Sequence, residues 1–250
     1  MKPPTPLPNV IDEDWRLQTS TQLTKDWADA SGQLVPKGSR VVVSAKIQLK
    51  KKKQLIIPIP NATALLLNSS SKAFSTARDI RESSGIDKLN QKNLIFFSSD
   101  KDAFDFIENM IGAIVLAFTA LEAFVNETIP EDFIYVCDVK GEKEKKFDKT
   151  SIERYIPIDE KLATILPKIL NCKSPKTFHC WGNYKKLKTT RDRLIHMKTE
   201  DRNYSSSKQD TVWKAVLIYP APHQAAKAII DHYANAMQTK PNWHLKFPIL

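Results

Sequence analysis

The most chemically suggestive stretch of this 250-residue chain is residues 181–198, WGNYKKLKTTRDRLIHMK, which holds six basic side chains and one acidic one. Within it four residues separate Arg191 from His196, and Asp192 directly follows the arginine. An imidazole, whose ordinary pKa is about 6.5, takes up and releases a proton near neutral pH. A guanidinium keeps its charge and holds two oxyanion oxygens at once through paired N–H donors. Tyr184, Leu187, Leu194 and Ile195 anchor one side of the segment. That leaves Lys185, Lys186, Lys188, Arg193 and Lys198 for solvent or a phosphate backbone.

The whole chain leans the same way. Its 38 basic and 28 acidic residues leave a net charge of +10, and a pI near 9.4 points to a polyanionic partner. Charge alone does not separate RNA, DNA and anionic lipid. The four lysines at residues 50–53 read as a charged loop that would also suit phosphates. Membrane binding through them lacks an amphipathic anchor, so no membrane partner is expected. Three cysteines, Cys137, Cys172 and Cys180, form no CxxC pair, which fits reduced thiols better than a disulfide framework. Cys172, His179 and Cys180 lack a fourth zinc ligand and the paired spacing of a metal site, and His223, His232 and His244 add none, so neither metal nor cofactor is expected. No Gly-rich phosphate loop and no GxSxG elbow is present. The N-terminus has no apolar stretch suited to a signal peptide, and a cytoplasmic location is expected. The apolar run at residues 110–125 is interrupted by Glu122 and falls short of the roughly 20 residues of a membrane span, so it reads as a core helix.

The elements that would position these side chains follow from pattern. Residues 1–38 open with a Pro-rich tail, show little periodicity and read as a partly ordered arm. Residues 40–49 and 54–59 are β-like and predict a hairpin with the lysines at its tip. Asn61 suits the cap of a helix over residues 62–80, weakened by serines at 69–71. A capped helix follows over residues 101–128, with Ile107, Ile111, Ile114, Phe118, Leu121 and Val125 as its apolar stripe, and Pro130 ends it. Residues 133–138 begin a small hairpin. Residues 159–170 are helical with Pro167 distorting the last turn, and Ser174 and Pro175 start a helix running to about residue 198. Two more helices cover residues 209–219 and 222–237. The domain reading is an N-terminal arm and hairpin over residues 1–60, then a helical domain over 61–250 with an insertion near 132–148. The fold class is mainly α, a helical bundle with β-hairpin decorations.

Two of these segments carry a resemblance. The Arg191, Asp192 and His196 pattern resembles the R-x4-H motif of the HEPN superfamily, and FTALEAFVN at residues 118–126 looks like the earlier core helix of many of its members, with Glu122 following an apolar stripe. The likeness covers roughly residues 101–238. It implies a HEPN-like bundle and a metal-independent endoribonuclease acting in a toxin or antiviral defence system. In such cleavage the 2′-hydroxyl attacks the adjacent phosphate and leaves a 2′,3′-cyclic phosphate. His196 would be the general base, and Arg191 would hold the charge gathering on the phosphorane-like transition state. Glu122 would orient one of them, with Asp192 either balancing Arg193 or assisting the site, and Asn126 a weaker candidate. Glu122 also reads simply as a carboxylate at the rim of the core, which must be paired or wet. Implied partners are RNA, a second copy of the chain, and an antitoxin or defence protein. Many members keep the fold without the activity, so a non-catalytic RNA-binding or protein-interaction module is the alternative.

A regular helix sets a geometric problem. Five residues turn about 500°, leaving Arg191 and His196 about 140° apart around the axis. Either the Arg191 side chain curls back, or the segment before the motif is irregular, or the site is completed across a two-fold dimer. The resemblance implies the last, and with it a homodimer.

Overall fold

β-Branched runs in the first sixty residues pair only in twos. The computed structural model of the chain describes residues 14–18, 20–28, 32–50, 53–86, 95–137, 144–202 and 211–247. It divides into two units, residues 1–65 with 241–249, and residues 66–240 with 250. In the first, β1 (Ser20–Gln22) lies antiparallel to a later strand, Arg40–Val42, and β2 (Trp27–Ala28) lies antiparallel to β3 (Leu34–Val35). That later strand is β4, so the expected hairpin is confined to β5 (Ser44–Gln48) and β6 (Gln54–Pro58), with Lys46 opposite Ile56. The expected arm therefore holds paired strands in its described part. Ladders of two or three residues are too short for alternation to show in a sequence. Lys50 and Lys53 are exposed at the tip. The Pro-rich residues 1–13, Lys51 and Lys52 lie outside the described residues.

The second unit is mainly helical. Asn61 accepts the Ala64 amide at 2.9 Å and caps α1 (Ala62–Ser83). The serine cluster does not break this helix: the Ser70 hydroxyl donates to the Ala113 carbonyl at 2.7 Å, burying a polar group with its partner supplied. Ala113 belongs to α2 (Asp100–Thr128), capped by Ser99 accepting from the Asp102 amide. Its buried stripe begins at Phe106 and Met110 and continues through Ile114, Phe118, Leu121 and Val125. Ile107 and Ile111, expected in that stripe, are only half-buried, one position around the helix from the residues that fill the core. By length and composition α2 could cross a membrane, yet it packs on three later helices of this unit.

β7 (Tyr135–Cys137) and β8 (Lys145–Phe147) form the small hairpin, whose tip at residues 138–143 lies outside the described residues. An unanticipated helix, α3 (Lys149–Tyr155), follows, capped by Asp148 accepting from the Ser151 amide. Residues 158–170 divide into α4 (Ile158–Glu160), a π-helical turn (Lys161–Ile165) and α5 (Leu166–Leu170). Pro167 has no N–H to donate back and its ring needs room against the preceding turn, which a wider turn supplies. Likewise the helix expected from residue 175 to 198 is a 3₁₀ turn (Pro175–Thr177), a break at Phe178, and α6 (His179–Ile195). Then come α7 (Thr199–Arg202), α8 (Val212–Leu217) and α9 (Pro222–Ala234). The expected first residues of the helix at 209–219, 209 and 210, lie outside the described residues. Tyr184, Leu187, Thr190, Ala226, Ile229 and Tyr233 close the core with α2. The chain returns to the first unit as α10 (Asn242–Lys246), where Trp243 is buried and Trp15 meets Phe247 edge-on at 5.4 Å.

Near the start of α9, His223 is 4% exposed and packs on Phe74 at 5.5 Å. Its Nδ1 has no hydrogen-bond partner among the described residues, and burial pushes its pKa down to about 4. Between the ordinary value of 6.5 and that of the folded chain, the unfolded state binds the proton more readily, so stability falls as pH drops through this window. Replacing His223 with Phe, which keeps the ring against Phe74, is expected to remove a pH-dependent loss on the order of 2 kcal/mol. Thermal unfolding of both proteins at neutral pH and near pH 4.5 measures it, and parallel losses in the two would contradict the assignment.

Candidate active site

α6 brings its chemistry to one end. It keeps regular geometry through Ile195, and His196 then caps it with non-helical dihedrals, φ −112° and ψ 46°, its amide still bonded to the Asp192 carbonyl at 2.9 Å. The imidazole is exposed, and its side chain has no hydrogen-bond partner among the described residues. Arg191, five residues earlier, turns onto α2. Its guanidinium lies 4.6 Å from the centre of the Phe118 ring. Nη1 donates to Asp192 Oδ1 at 3.0 Å, and Nη2 stands 3.9 Å from Glu122 Oε2, an ion pair at the edge of contact. A cation desolvated over an aromatic face gains about 2 kcal/mol or more, which helps hold this long side chain in one place. Of the three ways to reconcile the motif with a helix, an irregular segment before it is not what the fold shows: α6 is regular up to Ile195, the break falls at His196 itself, and the Arg191 side chain packs on α2.

Arg191, Asp192 and Glu122 are thus brought together, with Glu122 one turn beyond Phe118 as its stripe implies. Burial raises the Glu122 carboxyl above the usual carboxylate value, opposed by the charges of Arg191 and Lys161 and aided by Asp192.

The basic side chains of α6 are largely committed within the fold. Lys185 donates to Asp159 Oδ2 at 3.1 Å, and Lys188 lies 3.1 Å from Asp192 and 4.0 Å from Asp159. Tyr184 donates from its buried hydroxyl to the other Asp159 oxygen. Burial pulls the Asp159 carboxyl up, but the bonds from Tyr184 and Lys185 outweigh it and hold the group below its ordinary value. Arg193 pairs with buried Asp201 at 2.6 Å. Lys186 sits over the Tyr219 ring at 5.3 Å, exposed on its other side, and Lys198 is exposed beyond the helix end. Four of the six cations therefore form ion pairs. Lys186 and Lys198 are exposed and form no ion pair among the described residues.

One group in this neighbourhood escaped sequence reasoning. Lys161, only 6% exposed, opens the π turn and reaches α2, where its Nζ donates to Asn126 Oδ1 at 3.1 Å, and α3, where it donates to the Glu153 carbonyl at 3.0 Å. Burial lowers its pKa, while Glu122 and Glu153 pull it back up. Lys161, Asn126 and Glu122 line a cleft of about 390 Å³ walled by Val125, Ile156 and Ile158. The only local signal was Pro167, whose distortion of the helix permits the π turn. π-Helical turns are frequent at functional sites.

The cysteines are half-buried, and burial pushes the Cys172 and Cys180 thiols up, away from the reactive thiolate. Among the described residues no three His, Cys, Asp or Glu side chains converge as metal ligands.

No family model, curated protein or solved structure matches the chain.

Proposed function

We propose that this mainly helical chain is a HEPN-like bundle that cleaves RNA without a metal ion, through attack of a 2′-hydroxyl on the adjacent phosphate. The observation that carries the reading is the state of Arg191. Its guanidinium is held by Phe118 and Asp192 beside Glu122, and Nη2 is left without a hydrogen-bond partner among the described residues. A cation so placed stabilises developing phosphate charge at little reorganisation cost. His196, outside the helix and exposed, is the general base that takes the 2′-hydroxyl proton as the P–O2′ bond forms and the P–O5′ bond breaks, the departing 5′-oxygen taking its proton from water. Because Arg191 turns back onto α2 while His196 ends α6, we assign the working site to a homodimer in which the two motifs face each other. Lys186 and Lys198 meet the RNA backbone, and the biological setting is a toxin or antiviral defence system with a protein partner that restrains the enzyme.

The test is incubation of purified protein with single-stranded RNA in EDTA, beside His196→Ala and Arg191→Ala variants. Cleavage leaving 2′,3′-cyclic phosphate ends and lost in both variants is expected. Cleavage that survives either substitution would sink the site assignment. Mixing the two variants addresses the dimer: when Arg191 of one chain serves His196 of another, mixed dimers regain one working site and partial activity. An inactive mixture of demonstrated mixed dimers would overturn that arrangement.

One observation favours a non-catalytic module instead. Ion pairs with Asp159, Asp192 and Asp201 engage most of the basic residues of α6 within the fold. RNA binding without cleavage by any of the proteins would support that reading.

A further inference from the structure

The cleft beside Arg191 has a donor and acceptor pattern of its own. Lys161 fixes the Asn126 amide, because a lysine ammonium only donates and Oδ1 must face it. Nδ2 is what remains for the cleft, and it has no partner among the described residues. Glu122, one helical turn before Asn126, accepts no hydrogen bond among the described residues, and its nearest cation stands at 3.9 Å. Side chains four apart on a helix are neighbours, about 5–6 Å between Cβ atoms. The wall thus offers two carboxylate oxygens next to an amide donor. Val125, Ile156, Pro157 and Ile158 supply apolar contact around them, Glu153 and Arg154 complete the lining, and the volume of about 390 Å³ lies within the range of small-ligand pockets.

The complement of that wall is a flat, partly apolar group with two adjacent donors followed by an acceptor. Among RNA bases only guanine presents this set, as N2–H, N1–H and O6 on its Watson–Crick edge. Adenine offers one donor beside an acceptor and leaves a carboxylate oxygen unmatched. Uracil has a single ring N–H between two carbonyls, and cytosine places one amino group beside two acceptors. Single-stranded RNA bases that splay out of the stack are read through this edge.

We propose that the cleft between α2, α3 and the π turn is a guanine-binding subsite, in which Glu122 accepts N1–H and N2–H and Asn126 donates to O6. The assignment rests on the ribonuclease reading for its biological role, since it makes the substrate a single-stranded RNA with an unpaired guanosine near the scissile bond. Lys161 is a positioning residue that sets which end of the Asn126 amide meets the base.

The experiment measures binding of 5′-GMP, 5′-AMP, 5′-IMP, 5′-CMP and 5′-UMP to the full chain, with NMR shifts or calorimetry as readout. GMP is expected to bind about 10- to 100-fold more tightly than AMP or either pyrimidine nucleotide, the discrimination typical of a matched bidentate contact. IMP, which lacks the 2-amino group, should fall between GMP and AMP, and this comparison needs no variant to fold. Asn126→Asp and Lys161→Met should each reduce the GMP preference at least several-fold, with circular dichroism confirming the fold. Equal binding of GMP and AMP, no GMP binding, or IMP binding as tightly as GMP would overturn the subsite. Cleavage of a guanosine-free RNA at the rate of a guanosine-containing one would also overturn it while leaving the ribonuclease reading standing. GMP preference in a protein that cuts no RNA would overturn the ribonuclease reading and support the subsite.

Discussion

On the proposed ribonuclease reading, replacing His196 with alanine is expected to slow RNA cleavage by about 10²–10⁴-fold, the usual contribution of a positioned general base, while leaving thermal unfolding almost unmoved. The separation follows from where the residue stands. Its backbone amide closes α6 on the Asp192 carbonyl at 2.9 Å, a bond alanine keeps, and its exposed imidazole has no hydrogen-bond partner among the described residues. Exposed substitutions of this kind change stability within about 0.5 kcal/mol. Arg191 behaves differently, because its side chain covers Phe118 and balances Asp192 and Glu122. Arg191→Lys keeps the charge but loses the planar fork and the stacking, so it is expected to lower cleavage by about 10²–10³-fold and to lower the melting temperature as well. Single-turnover cleavage rates beside melting curves for the two variants check both statements. An undiminished rate for His196→Ala would remove the histidine from the mechanism.

The largest effect on stability is expected at Asp201. Its carboxylate side chain is 3% exposed, accepts from Arg193 Nη2 at 2.6 Å and from the Val212 amide at 2.9 Å, and its own carbonyl takes the Trp213 indole N–H at 3.0 Å. One aspartate thus fastens α7 to both the end of α6 and the start of α8. Breaking a buried pair by removing one partner costs about 3–5 kcal/mol. The Arg193 side chain is 30% exposed and regains some hydration, so Asp201→Asn is expected at the lower end, about 3 kcal/mol. In a protein of this size that corresponds to roughly 6–12 °C in melting temperature.

The pH dependence has a definite sign. The hydrogen bond from Arg193 is the largest influence on the Asp201 carboxyl and, with the Val212 amide, holds it below its ordinary 3.8 in spite of burial. A carboxyl depressed on folding contributes stability that is present in full above the unfolded value and lost as pH falls through the folded one. The gap between wild type and Asp201→Asn should therefore be constant around neutrality and close below about pH 4. Denaturant unfolding at several pH values measures it. A neutral-pH difference under about 0.5 kcal/mol would mean that Asp201 does not carry this corner of the fold.

Much of the architecture is written in short-range pattern. Apolar spacing and the Ser99 cap locate α2, Asn61 locates the start of α1, and β-branched runs on either side of the lysines locate the β5–β6 hairpin. Each rests on residues within a turn or a strand of one another, so periodicity and capping chemistry report it directly. Signals weaken where an element is only two to seven residues long, as with β1 to β4 and α3, because one turn or one ladder leaves no period to read.

The candidate site divides along the same line. Arg191, Asp192 and His196 are recognisable because they are close in sequence, and Glu122 because it interrupts an apolar stripe. Where each side chain goes is a different matter. That Arg191 turns onto Phe118, that Asp159 and Asp201 neutralise Lys185 and Arg193, and that Lys161 is buried against Asn126 all depend on groups 8 to 73 residues apart. No local pattern records which of several carboxylates will meet which cation, since that is set by the burial of whole helices. The sequence by itself determined a basic helix ending in an arginine and histidine pair. Only tertiary structure decided that most of its charge is spent holding the fold, because a cation drawn from water must be matched by a partner at hydrogen-bond distance.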